Sequence, residues 1–372
     1  MSHLVKIPCV LMRGGTSKGP FFLRSDLPDT TAQRDEILVS ALGSGHELEI
    51  DGIGGGNPLT SKVAIISPSK REDADIDYLF AQVNVTERTV DTSPNCGNML
   101  SAVGPFAIAQ GLIPAADGQT RVRIFNVNPG KIVSAAVSPP GGKVAYDGDA
   151  HIDGVPGAAA PIYLTFLGVA GAKPGRLLPT GHPRDRFCGV EVTCIDAAMP
   201  LVLLRAADLG RSAQDAPRDL DADKDFLARL EEIRLAAGKA MGLGDVGNLV
   251  IPKPVLLGRG SSQGRLAVRY FMPHSCHKAV AITGGVGIAT ACATPGTLAA
   301  ELAGAVQPPC TLTLEHPSGT LDLHMEQRPG ESEARISVVR TARRLFEGNV
   351  FARTSSGEES RTSQAMPVLR KT

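Results

Sequence analysis

Tryptophan is absent from the 372 residues, and aromatic side chains of all kinds make up only 4% of them. The core therefore has to be aliphatic, built on Val, Leu, Ile and Ala within a 42% hydrophobic composition. No apolar run reaches the roughly 18–20 residues needed to span a bilayer, and Met1–Val10 lacks a charged-then-apolar leader pattern. A cytoplasmic protein is the expectation. Excess charge is missing too: 38 basic side chains stand against 38 acidic ones, with no block of either sign. That excludes a sequence-independent grip on nucleic acid or on an anionic membrane. The seven cysteines are odd in number, irregularly spaced and without a CxxC pair, which argues against a disulfide framework and against structural zinc. No G-x-G-x-x-G follows a strand, so a dinucleotide is not expected either.

Glycine (41) and proline (27) are plentiful without a collagen-like period, the pattern of many short strands joined by turns. The length suits two domains of roughly 150–200 residues. Leu4–Met12, Val63–Ile66, Tyr78–Val85, Thr120–Asn126 and Lys131–Val137 read as strands. Asn98–Leu112 reads as a helix that is apolar on every face, hence buried, with a bend at Pro105. The second half repeats the plan. Gly189–Ile195, Pro200–Leu204, Arg265–Met272, Cys310–Glu315 and Ala334–Arg340 are strand-like around a second glycine-opened apolar run, Thr283–Thr294. One amphipathic helix lies near Ala222–Met241, with Asp221 or Asp223 as its cap. The layout suggests a duplication, with the junction near Gly181–Gly189 and a polar, mobile tail after Ser355.

Four segments could carry chemistry. In Asn95-Cys96-Gly97-Asn98 a cysteine precedes glycine at the start of a buried helix. Open N–H groups and the positive end of the dipole there favour a thiolate or a bound carboxylate; the alternative is a buried structural thiol. Thr60-Ser61-Lys62 follows the glycine run Asp51–Asn57. Glycines admit an anion closely, and a lysine entering an apolar strand is open to desolvation, which favours the neutral base. A snorkelling surface lysine is the competing account. Arg13-Gly14-Gly15-Thr16-Ser17-Lys18-Gly19 reverses the order of a phosphate loop, leaving a glycine turn with two cations and two hydroxyls suited to carboxylates, or simply a surface hairpin. Finally, His274, Cys276 and His277 crowd one loop. Metal ligation is disfavoured because no complementary ligand pair exists elsewhere, and imidazole donation to a carboxylate, or a plain turn, remains.

Asn95-Cys96-Gly97-Asn98 resembles the first active-site motif of the diaminopimelate epimerase fold. Together with Arg13–Gly19, Asp51–Gly55 and Thr60–Ala64, it looks like the PrpF branch of 2-methylaconitate cis-trans isomerases and 4-oxalomesaconate tautomerases. Gly189–Asp196, Met199-Pro200 and Leu178–Gly181 are closer to the oxalomesaconate members, and the resemblance runs from about residue 5 to 352. It implies an α+β, diaminopimelate epimerase-like fold of two pseudo-symmetric halves, each a curled β-sheet around a central helix, with the active site between them. The halves would be residues 1–183, completed by a strand near 345–355, and 184–344. The implied activity is a cofactor-free, metal-free 4-oxalomesaconate tautomerase of aromatic-acid degradation, acting on a small tricarboxylate. A 2-methylaconitate isomerase is the alternative, a silent small-acid binding protein the alternative from another class, and there is room for a homo-oligomer.

The resemblance also distributes roles. Lys62 would be the base, with Cys96 a second acid/base or a positioning group. Arg13, Thr16, Ser17, Lys18, Ser61, Gly97, Asn98, His182, Arg269, His274, Thr283, Gly284 and Gly285 would bind substrate. The epimerases use two cysteines, whereas the second position aligns here with Thr283, too weak an acid for two-thiol inversion. A proton shift along a conjugated system is the consequence.

Overall fold

The computed structural model describes residues 3–166, 171, 175–272, 274–304, 306–327 and 334–354. The chain divides into two compact units: Met1–Ala115 with Ile124–Gly130 and Ala342–Thr372, and Ala116–Arg123 with Lys131–Thr341.

The first unit opens with β1 (His3–Gly14) and β2 (Ser17–Leu23), an antiparallel hairpin in which Gly14 faces Ser17. Helix α1 (Thr31–Leu42) follows, started by the Thr30 hydroxyl and stopped by Gly43 in the left-handed region at φ 78°. β3 (Lys62–Pro68) then runs parallel to β2 and antiparallel to β4 (Ile76–Val83), which also pairs with the short β5 (Val90–Asp91). Two short helices come next, α2 (Gly97–Leu100) and α3 (Val103–Ala109). The second half of β6 (Thr120–Asn126) lies parallel to β4.

In the second unit β7 (Lys131–Val137) pairs with β8 (Ile162–Phe166), β9 (Asp185–Phe187) with β10 (Val190–Ala197), and β10 with β11 (Met199–Arg205). Helices α4 (Pro217–Ala222) and α5 (Lys224–Ala240) precede β12 (Lys253–Arg259), which lies between β11 and β13 (Arg265–Tyr270). Helix α6 (Ile282–Ala293) has ten of its twelve residues buried, as an all-apolar helix must. After α7 (Leu298–Ala303), β14 (Cys310–His316), β15 (Gly319–Glu326) and β16 (Arg335–Arg340) form an antiparallel run that ends on β8. The chain closes with β17 (Ala342–Thr354), paired along β1 in the first unit.

Three features differ from the sequence reading. The helix expected over 98–112 breaks at Ser101–Ala102, four and three residues before Pro105. A proline ring collides with the carbonyl four residues back and gives no N–H. Pro105 thus sits in the first turn of a new helix instead of bending an old one. The compact units also divide near residues 115–131 and 341, away from the junction read near 181–189. β8 explains this, because it pairs with both β7 and β16 and ties residues 131–166 to the second unit. Helix α1 was not anticipated. Of the two candidate caps for the amphipathic helix, Asp223 is the one used, accepting from the Phe226 N–H at 2.9 Å. Among the described residues no helix is long and apolar enough to cross a membrane. The tail after Ser355 lies outside the described residues.

Candidate active site

The hairpin turn of β1 and β2 lies directly on α2. A Cβ on Gly14 would come within 2.5 Å of the Asn98 carbonyl oxygen, and one on Gly15 within 2.2 Å of Asn98 Oδ1. Gly15 is also left-handed at φ +52°. Only glycine meets both conditions. The approach lets Asn98 Nδ2 donate to Thr16 Oγ1 at 2.9 Å and sets Ser17 Oγ 4.0 Å from Cys96 Sγ. Arg13 closes the turn by donating to the Gly15 carbonyl at 2.9 Å, and burial, with Arg343 adding, holds its guanidinium below the ordinary arginine range. On the other strand the half-buried Lys18 donates its backbone N–H to Leu59 at 3.0 Å. A Cβ on Gly19 would fall 1.7 Å from the Lys62 carbonyl oxygen. One hairpin thus touches both segments that supply the candidate catalytic side chains.

Cys96 is the N-cap of α2 and is nearly buried, at 9% exposure. Its sulfur accepts from the Met99 N–H at 3.5 Å, and its carbonyl accepts from Tyr78 Oη at 3.2 Å. Burial, and secondarily the nearby thiol, push the Tyr78 phenol well above its ordinary range. It stays a neutral donor that fixes the backbone of Cys96. Gly97 and Asn98 form the first turn, where a helix leaves its N–H groups open. With α2 only four residues long, local N–H groups matter here more than a macrodipole.

Lys62 begins β3, directly opposite Gln82 of β4. Its Nζ donates to Gln82 Oε1 at 2.7 Å and stands 5.0 Å from the centre of the Phe80 ring. Side chains two apart on one strand share a face, which puts Phe80 and Gln82 on the same side of Lys62. The Gln82 amide cannot turn around. Its Nε2 faces the carbonyls of Ser61, Pro58 and Val83 at 3.0, 3.2 and 3.3 Å, so its oxygen is the atom left for the lysine. Phe80 is held as firmly, through both backbone groups, by the side chain of Asn128.

Ser61 is not presented to a ligand. It is fully buried and donates to Glu49 Oε2 at 2.6 Å or to the Asn57 carbonyl at 2.9 Å. The glycine run before it does close around an anion, but that anion is the chain's own Glu49. Gly56 N–H donates to Glu49 Oε2 at 2.8 Å, and a Cβ on Gly54 would lie 2.1 Å from the same oxygen.

In the second unit Thr283 is the half-exposed second residue of α6. Gly284 and Gly285 are required by packing: Cβ atoms there would lie 2.3 Å from the Tyr270 ring and 2.7 Å from Leu321. Arg269 is buried, donating to the Asp215 carbonyl at 2.7 Å and to the Val268 carbonyl at 2.8 Å, so it pins β13 to a loop. His182 is exposed in the loop before β9. His274 is two-thirds exposed, 3.9 Å from Glu231 of α5. The His277 ring stands edge-on to Tyr270, with centroids 6.2 Å apart. The His274–His277 loop does not gather ligands; among the described residues no group of three His, Cys, Asp or Glu side chains is arranged to hold a metal ion.

Thr16, Ser17, Lys62, Cys96, Gly97 and Asn98 are therefore brought together, all in the first unit, whereas Arg13 and Lys18, a cross-strand pair, alternate with Gly14 and Ser17 and so lie on the other face of the hairpin. The sequence reading missed Gln82, Phe80, Tyr78 and Glu49. The alternation of Tyr78, Phe80 and Gln82 marked one face of a strand, but which residue they faced required the register.

A family model described as PrpF protein matches residues 4–353. YbhH of Escherichia coli (strain K12), whose name gives a reaction class, isomerase, and no substrate, is 57% identical over 347 residues, 93% of this chain and 99% of the relative. The 4-oxalomesaconate tautomerase of Pseudomonas putida is 50% identical over 349 residues, 93% and 96% respectively. The crystal structure of a methylitaconate-delta-isomerase superposes with a TM-score of 0.85 at 34% identity, covering 96% of this chain and 99% of that one. The fold is the α+β, diaminopimelate epimerase-like one.

Proposed function

The chain belongs to the PrpF family and is an isomerase, and on that premise we propose that it shifts a proton along 4-oxalomesaconate, a conjugated tricarboxylic keto acid. Lys62, as the base, removes a proton from the carbon conjugated with the keto acid. The resulting dienolate is stabilised by the Thr16 and Ser17 hydroxyls and the first-turn N–H groups of α2. Protonation elsewhere on the conjugated system completes a keto–enol or 1,3-allylic shift. Cys96, 4.0 Å from Ser17, positions the substrate or returns the proton.

The observation that carries this reading is the convergence of three sequence motifs on one surface, with a lysine amine held between Gln82 and Phe80. Gln82 Oε1 can only accept, so it takes one N–H of the Lys62 head group and fixes the direction of the rest. The choice of substrate leans on the 50% identity to the tautomerase, against 34% to the methylitaconate enzyme. The same residues could serve 4-oxalomesaconate or 2-methylaconitate, because either reaction can begin by removing a proton from a carbon conjugated with an unsaturated carboxylate. Purified enzyme assayed on 4-oxalomesaconate and on 2-methylaconitate is expected to give a kcat/KM at least about 10²-fold higher for the former, a gap of about 2.7 kcal/mol in transition-state binding. The opposite ratio refutes the assignment.

A further inference from the structure

The hairpin that carries Thr16 and Ser17 toward α2 has a second face. Arg13 of β1 lies directly opposite Arg343 of β17 on one side and directly opposite Lys18 of β2 on the other. Three cations therefore stand in one row across three adjacent strands, all in the first unit. Ala342, Gly14 and Ser17 form the next row, and the pleat turns that row to the opposite face, toward α2.

Like charges directly opposite each other destabilise a strand pair, and this row contains two such pairs. Burial lowers the Arg13 guanidinium below its ordinary range, and Arg343 lowers it further. The neighbouring acids are engaged elsewhere. Glu347 of β17 lies opposite Val10, which shares the face of Gly14, and it is held there by Arg344 and Gln110, each at 3.1 Å. Beyond Lys18, whose backbone N–H bonds Leu59, Glu49 is 1% exposed and already accepts from Ser61 and Gly56. Among the described residues no ion pair and no side-chain hydrogen bond engages Arg343 or Lys18.

The row is open to solvent at its end of the sheet and backed by apolar groups. Arg343 is exposed and Lys18 half-exposed. Behind them comes the row Phe346, Leu11 and Pro20. The Phe346 ring is folded along β17, because a Cβ on Gly348 would fall 2.5 Å from it. Farther along the same face Ile7 and Cys9 are buried in one cluster with Ile37 and Leu38 of α1, so the helix covers the rest of the face and stops short of the cations. Neighbouring strands lie about 4.8 Å apart, which spreads the three charges over roughly 10 Å. An anion with more than one charge matches that spread and offsets both repulsive pairs.

We propose that Arg343, Arg13 and Lys18 form a binding site for a small multivalent oxyanion on the outer face of the first unit's sheet. The glycine turn thus divides its groups, with the hydroxyls serving the face of Lys62 and Cys96 and the cations serving this one. The site does not depend on which acid the enzyme turns over, and Arg343 belongs to none of the sequence motifs.

Two probes separate the sources of such an anion: propane-1,2,3-tricarboxylate for a polycarboxylic acid and inorganic pyrophosphate for a phosphate compound. Each is titrated calorimetrically into the full-length enzyme at pH 7 and low salt, and the tighter one identifies the class. Arg343→Gln and Lys18→Gln are each expected to weaken that binding at least tenfold, and Ser17→Ala less than twofold. Wild-type affinity in folded Arg343→Gln overturns the site, and so does the absence of binding by both anions. If Ser17→Ala abolishes binding and Arg343→Gln does not, the anion occupies the inner face and the proposal falls. The ligand-free enzyme gives an independent sign. Removing Arg343 relieves one like-charge pair, so Arg343→Gln is expected to melt roughly 1–3 °C above wild type in low-salt buffer, with the gap closing as added sodium chloride screens the row. A variant that melts below wild type at low salt overturns the reading of the row as uncompensated cations.

Discussion

Replacing Gln82 by Met removes the acceptor that faces Lys62 while keeping side-chain length. Two effects follow, and they separate. The Gln82 amide currently serves the carbonyls of Ser61, Pro58 and Val83, and because Ser61 keeps the Val83 N–H and Pro58 is exposed, its loss should cost only about 1 kcal/mol of stability. Its oxygen holds the Lys62 amine at 2.7 Å. A hydrogen bond to a group that cycles through a charged form contributes about 1.5–3 kcal/mol. If that energy orients the amine in the transition state, kcat should fall roughly 10- to 100-fold. The carboxylate-binding groups are untouched, so KM should change less than about threefold. Steady-state kinetics with a thermal melt of the same preparation read both effects. A melting temperature that drops while kcat stays within twofold of wild type would show that Gln82 serves the fold alone, and the reasoning about the orientation of Lys62 would be wrong.

Cys96→Ser keeps an N-cap of the preferred chemistry and should retain more turnover than Lys62→Met, measured side by side; equal inactivity would make the thiol an obligatory proton donor. Gly15→Ala adds a methyl 2.2 Å from Asn98 Oδ1 at φ +52°, whereas Gly111→Ala meets a similar φ of +70° with open space around it. The first should lower kcat at least tenfold and the second should cost about 1–2 kcal/mol of stability with activity kept; similar kinetics for the two would refute the docking of the hairpin on α2. The folded-state value for Lys253 is depressed from 10.5 to about 8, so between those pH values the unfolded chain binds the extra proton. Stability of the ligand-free enzyme should therefore rise with pH across that window, and Lys253→Met should remove this rise in pH-dependent thermal melts.

Much of the fold was legible because its elements carry their own periodicity. β6 and β7 coincide with the stretches read from alternation, Thr120–Asn126 and Lys131–Val137. The all-apolar run at 283–294 is α6 to within one residue. What stayed hidden depends on pairing across distance. Helix α1 has buried residues crowded into its second half and so lacks a clean stripe. The assignment of residues 131–166 to the second unit follows from β8 pairing with β16, more than 160 residues away in sequence. The site behaves in the same way. Lys62 and Cys96 stood out by their neighbours in sequence, but Ser61 and the glycine run looked like an anion-binding loop until Glu49, with φ +48°, proved to be the anion. Gln82 had no local signal, since its meaning comes from the residue it faces.

The central claim is that Lys62 moves a proton on the substrate carbon frame. Incubation of the enzyme with 4-oxalomesaconate in D₂O, followed by proton NMR, tests it most directly when wild type and Lys62→Met are run together. Wild-type enzyme is expected to convert the acid with deuterium entering the carbon skeleton, and Lys62→Met, folded by circular dichroism, to do so at least about 10²-fold more slowly. Conversion by Lys62→Met within a few fold of wild type would contradict the account.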